Sequence, residues 1–279
     1  QLEQLPGTPW QLSRPRFIWP LDGEFYRYNR VEGNSFGAGM DVDLGPIQAG
    51  AEARIGLADR EPNGELWIAR DGARTRLQLA GYRRLVAMDP EARPFSFGAS
   101  LSALVLGLDE ADYYRALGVE LTGAPSISRR RWYDWRVYAQ RETAARKETD
   151  FSVRRLIDRS YVFPENEPAQ EATQYGASLR MRGGLGHDPG GFRAHAELGL
   201  DGAVGTFRYW RPSLTLRTFV PLPGPYVMML EGAAGTSFGD QAVQHLWWVG
   251  GPPTLRGYAS GSMAGESFWR GRAELATSL

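Results

Sequence analysis

The chain has 279 residues, no cysteine, and 32 Lys+Arg balanced by 32 Asp+Glu, so disulfides and thiolate metal sites are excluded and no basic field recruits nucleic acid. Its 34 Gly with 12 Phe, 12 Tyr and 9 Trp point to many strands and turns rather than helices. The longest apolar run, 97–108, is interrupted by Ser and Gly and is far shorter than the roughly 20 residues of a membrane-spanning helix, so any crossing is made by strands.

Residues 1–30 read as a lead-in; the chain starts at Gln1 rather than Met, which implies a longer precursor. Strand pattern starts at 33–44. It continues at 47–57, where Ile47, Ala49, Ala51, Ala53, Ile55 and Leu57 oppose Gln48, Gly50, Glu52 and Arg54. Segments 65–70 and 74–85 form a pair turned at Asp71-Gly72. In 95–108, Leu101, Leu104, Val105 and Leu108 stand at helical spacing, as in an element that caps a barrel end or rests on a membrane interface. Further strands are expected at 112–122, 130–141, 207–220 and 226–238. In between, Tyr175, Ala177, Leu179 and Met181 oppose Gln174, Ser178, Arg180 and Arg182. Phe192, Ala194, Ala196, Leu198 and Leu200 likewise oppose Arg193, His195, Glu197, Gly199 and Asp201. Near the end Trp269, Gly271, Ala273 and Leu275 oppose Arg270, Arg272 and Glu274.

A soluble sandwich also alternates in this way. Four features favour a membrane barrel. Many segments exceed the five or six residues typical of soluble strands and fit the roughly 9–11 of a tilted spanning strand. The polar faces carry both charge signs, with arginine far outnumbering lysine, as suits a wet lumen. Aromatics gather near strand ends as expected of interfacial girdles: Trp19, Phe25, Tyr26, Tyr28, Tyr113, Tyr114, Trp132, Tyr133, Tyr209, Trp210, Trp247, Trp248, Phe268 and Trp269. Finally, short turns at 44–46, 188–190 and 222–225 alternate with long connections at 143–170 and 239–264. The expected fold is all-β, an antiparallel transmembrane barrel over 31–279.

Motifs for chemistry are weak. Gly33-Asn34-Ser35-Phe36-Gly37 and Gly235-Thr236-Ser237-Phe238-Gly239 match G-x-S-x-G, but a nucleophile elbow needs a strand running into a helix, and neither site has one. A soluble hydrolase using Ser35 or Ser237 is the reading this leaves behind. His187, His195 and His245 are scattered without metal spacing, and Asp109, Glu110 and Asp112 read as the solvated start of a strand. Residues 183–186 lack the following helix of a phosphate loop. No enzyme activity, metal or cofactor is expected.

The stretch 250–262, GGPPTLRGYASGS, carries Gly250-Gly251 and then Leu255-Arg256-Gly257-Tyr258. It resembles the signature loop of the BamA/TamA/FhaC superfamily of outer-membrane barrels, the bacterial surface antigen family, whose [V/I]-R-G-[Y/F] tetrad follows a glycine pair and precedes a strand like FWRGRAEL here. Leu255 is the one departure. "YNRVEG" at 28–33 also looks like the start of the barrel in some relatives. The resemblance implies a sixteen-stranded barrel incomplete at the C-terminus, since fewer strands are counted here and the family's aspartate-bearing strand motif would lie beyond Leu279. It implies a loop folded into the lumen, with Arg256 pinned to inward carboxylates of the strands that follow, Glu274 being the candidate, Gly257 allowing a close turn and Tyr258 packing on the wall. It further implies residence in the bacterial outer membrane and assistance of outer-membrane protein insertion or polypeptide translocation, with the bilayer and other outer-membrane or periplasmic proteins as partners. A scaffold barrel that moves no client is the alternative.

Overall fold

The computed structural model describes residues 13–18, 26–126, 132–186, 188, 190–251 and 254–277. Trp19, Phe25, His187 and the prolines 189, 252 and 253 lie outside the described residues. Where the sequence alternates, the chain is extended, and eleven strands have ten residues or more. Two short strands, β1 (Arg16–Ile18) and β2 (Tyr26–Asn29), come first. The long strands are β3 (Gly33–Asp43), β4 (Ile47–Gly56), β5 (Pro62–Asp71), β6 (Thr75–Ala87), β7 (Tyr113–Pro125), β8 (Tyr133–Ala144), β9 (Ala172–Leu185), β10 (Arg193–Gly205), β11 (Arg208–Pro221) and β12 (Tyr226–Thr236). After the short β13 (Phe238–Asp240), β14 (Trp247–Val249) and β15 (Met263–Gly265), the long β16 (Ser267–Thr277) ends the described chain. Neighbours in sequence pair antiparallel from β3 to β12, and β16 pairs with β12. The sheet begins inside the expected lead-in, because β1 and β2 both pair with β3.

Register carries one face unbroken around the sheet. Glu197 stands opposite Arg182 and Thr215, and Leu198 opposite Met181 and Leu214. On the charged face, cross-strand pairs join Arg84 to Glu120 at 2.8 Å, Arg136 to the same carboxylate at 2.7 Å, Arg182 to Glu197 at 2.9 Å and Arg217 to Glu231 at 2.7 Å. The other face exposes Leu66, Leu79, Val119, Leu198, Leu216 and Trp269. A continuous apolar belt of this kind is stable only against another apolar phase, since each Å² left in water costs roughly 25 cal/mol.

The sheet curls around its charged face. Arg270 on β16 reaches Glu91, which follows β6, at 2.9 Å, and Gln244, beyond β12, reaches Glu142 on β8 at 2.7 Å. The long β6–β7, β8–β9 and β12–β16 connections all leave one end of the strands, and the turns at 44–46, 72–74 and 222–225 lie at the other. At the loop end, α1 (Phe97–Leu101) is capped by Ser96 and runs into one π turn over residues 102–106; α2 (Val153–Ile157) is capped by Ser152. Gly107 closes the π turn at φ 71°, where a Cβ would sit 2.6 Å from the Tyr161 ring. The 95–108 segment is therefore a helical element docked at the barrel end.

The girdle expectation needs correction. Tyr114 and Tyr209 share the parity of the charged face and are buried inside it, while Tyr28 and Tyr113 are buried beneath the loops. Trp210 and Trp269 do face outward, while Trp132 is exposed just before β8. The acidic trio at 109–112 is not solvated either, because Asp109 and Asp112 bind Arg30 and Glu110 accepts the amide of Ser260 at 2.8 Å.

Asp89, in the β6–β7 connection, accepts the amide of Glu91 at 2.9 Å, and burial pushes its carboxyl up to about 6. A carboxyl raised on folding keeps its proton longer in the native state, so stability falls as pH rises from the ordinary aspartate range through about 6. Asp89→Asn removes this titration. The expected result is a melting temperature that drops less between pH 4.5 and 7.5 than in the wild type; equal drops would show that Asp89 does not titrate on unfolding.

Candidate functional site: a loop strapped across the charged face

The chain between β12 and β16 crosses the concave, charged side of the sheet in three stages. First, β13 pairs with β11 and leads to a 3-10 turn, Val243–His245. Gln244 and His245 are buried there around one carboxylate: the Gln244 amide donates to Glu142 at 2.7 Å and His245 Nε2 lies 2.9 Å from both its oxygens. Gln140 donates to the same group at 2.6 Å. Gln244 also donates to the carbonyl of Gln170 at 2.9 Å and accepts its amide at 3.0 Å, which ties the loop to the β8–β9 connection. The rings of Tyr114 and Tyr209 flank the imidazole at 6.1 and 5.2 Å, and Arg211 donates to the His245 carbonyl.

Second, β14 and β15 pair as a hairpin whose Trp248 packs into the cluster of Tyr82, Met88, Tyr114, Ala116 and Ala169. Arg211 lies 4.7 Å over the Trp247 ring. Third, the tip of the hairpin holds the signature residues. The Gly250 amide donates to Thr254 Oγ1 at 2.8 Å, and the Gly251 amide to the Tyr258 carbonyl at 3.0 Å. Gly250 and Gly251 take φ of 145° and 79°, and a Cβ on either would meet Ala259 O at 2.1 Å or Ser260 Oγ at 2.3 Å. The glycine pair is thus required by close backbone approach.

Arg256 Nη1 meets Glu274 Oε1 at 2.9 Å, the expected partner on the inward face of β16. The contact is one ion pair rather than a bidentate fork, with the arginine side chain 69% exposed. Glu274 also accepts from Arg272 Nε at 2.9 Å. Tyr258 does not pack on the wall but is 61% exposed. Gly257 has open space where a Cβ would stand, so its φ of 93°, not a close contact, calls for glycine. Leu255 forms an isolated bridge with Gly251.

The sequence missed the strongest anchor. Glu142 lies one residue beyond the strand expected at 130–141, and His245 stands in a long connection without metal-ligand spacing, so no local pattern marks either. Ser35 is fully buried on the inward face of β3, 3.4 Å from Arg54, in the middle of paired strands. Ser237 lies between β12 and β13, so neither serine opens a helix. Among the described residues no cluster of His, Cys, Asp or Glu could hold a metal, and no helix is long and apolar enough to cross a membrane.

An antiparallel sheet curled around a charged interior, an apolar exterior and a loop strapped inside define a transmembrane β-barrel. In fold it resembles the barrel of BamA. The solved structure of BamA from Haemophilus ducreyi lacking POTRA domains 1-3 superposes at a TM-score of 0.51 with 13% identity over 91% of this chain and 47% of that one. CdiB from Acinetobacter baumannii covers 99% of this chain and 47% of that one at 12% identity and a TM-score of 0.40. The chain thus spans about half the length of each. No family model and no curated protein matches the sequence.

Proposed function

We propose that this chain is the barrel of a bacterial outer-membrane protein that assists the insertion of other outer-membrane proteins or the translocation of polypeptides. What supports the reading is the strap: a loop bearing Leu255-Arg256-Gly257-Tyr258 held on the concave face, with Arg256 on Glu274 of the strand that follows. No covalent catalyst is needed for such work. A locally thinned bilayer and a weakly closed seam lower the barrier for a client strand, and the strap keeps the lumen wall braced while strands part. Its partners are the outer-membrane bilayer and other outer-membrane or periplasmic proteins; no cofactor takes part.

Arg256→Ala separates function from stability. An exposed ion pair contributes about 0–1 kcal/mol, so the melting temperature is expected to stay within a few degrees of wild type. Client outer-membrane proteins, or secreted polypeptide, should fall severalfold in cells that depend on this protein. An unchanged client level with a native melting curve would refute the proposal and favour a scaffold barrel.

A further inference from the structure

The two helical segments at the loop end cover one strand and leave an apolar surface facing away from it. On β2, Tyr26 stands opposite Phe36 and Tyr28 opposite Asn34, so both tyrosines share the sheet face that carries Phe36 and Met40, the apolar belt. The Tyr26 and Phe36 rings meet at 5.5 Å, and Tyr26 is half-buried there. Two residues further towards the loop end, about 7 Å along the strand, Tyr28 is 1% exposed, buried by Ala103 and Phe163, and its hydroxyl donates to the Phe151 carbonyl. The helical pair therefore begins where the belt stops, and on the belt's own side. Its far surface exposes Phe97, Leu101, Leu106, Phe151, Leu156 and Ile157, the last 86%. Arg154, 4.1 Å over the Tyr161 ring, Arg155, paired with Asp150 at 3.3 Å, and Arg159 stand beside this surface. Apolar side chains flanked by arginines, on short helices continuous with a lipid-facing belt, have the chemistry of an element lying in the membrane interface.

We infer that residues 97–108 and 151–162 form an interfacial foot, seated in the headgroup and upper acyl region of the bilayer beside β2, with the arginines on lipid phosphates. The inference rests on the membrane reading of the barrel proposed above. It places a lipid-immersed wedge next to an edge strand of the described sheet, where it holds the bilayer surface against the protein.

The absence of cysteine makes the test direct. Single variants Leu106→Cys and Ile157→Cys are spin-labelled in the full chain reconstituted into phosphatidylethanolamine–phosphatidylglycerol vesicles, with Leu66→Cys in the belt and Asp188→Cys in a turn at the opposite end as references. The expected result is an oxygen-to-nickel accessibility ratio at 106 and 157 severalfold above that at 188 and approaching that at 66. Ratios at 106 and 157 like that at 188, with 66 lipid-like, would overturn the foot and leave the surface to water or a protein partner. A water-like ratio at 66 would sink the membrane reading itself, and the foot with it.

Discussion

Replacing Glu142 by alanine is expected to unstrap the loop. Three buried donors, from Gln140, Gln244 and His245, converge on this carboxylate, and none of them gains a new acceptor when it is removed. Leaving each buried donor unpaired costs about 1–3 kcal/mol. At roughly 2–4 °C per kcal/mol for a chain of this size the melting temperature in detergent should fall on the order of 10 °C. Limited trypsin digestion should open residues 239–266 while the long strands stay protected. Glu142→Gln is expected to do nearly as much damage at almost constant volume, because its amide nitrogen would face donors. If the glutamine variant melts like the wild type, packing rather than the shared acceptor holds the strap.

Strands were legible because one face must be apolar and the other charged over ten residues or more. In β10 the alternation from Phe192 to Asp201 states the face of every side chain, and the structure keeps it as far as Gly205. Rings at strand ends were harder. Parity extended to the strand ends places Tyr114 inward with Ala116 and Tyr209 inward with Arg211. For Tyr28 and Tyr113 parity points outward, and only the connections folded over them decide that they are buried. That depends on contacts between residues far apart in the chain, which no local period records.

The same division runs through the site. Glu274 was readable as an inward residue of β16, and the arginine's reach to it followed from the loop's position next to that strand. Glu142 lies 103 residues before His245, and only the curl of the sheet brings them within 2.9 Å. The exposure of Arg256 and Tyr258 was not readable at all, since a motif records which residues a loop carries and not how deeply its tip is buried. Among the described contacts the strap is held by the middle of the loop, at 244–248, rather than by its signature tip.

Arg30→Ala is expected to be the second severe variant, and to act on the loop end alone. The side chain is 2% exposed and donates to the Asp109 carbonyl at 2.7 Å and to Asp112 at 2.5 Å; its own amide donates to Asp109 Oδ2 at 2.7 Å. Its carbonyl accepts the amides of Glu148 and Thr149 at 3.0 and 3.2 Å. One residue in the turn between β2 and β3 thus fastens both the β6–β7 and β8–β9 connections. Burial already pushes the Asp109 carboxyl up despite the guanidinium, and without Arg30 the carboxylate is stranded, at a cost of about 3–5 kcal/mol. The expected outcome is early proteolysis within 88–112 and 145–170, with the strands still protected. Because a stranded carboxyl takes up its proton at higher pH, the gap between variant and wild type should narrow as pH falls. Adding Asp109→Asn to Arg30→Ala should return a large part of the lost stability, since the cycle removes the buried charge along with its partner. If the double variant is as unstable as the single one, the fastening lies in the packing of the Arg30 stem against Tyr113 and not in the charge.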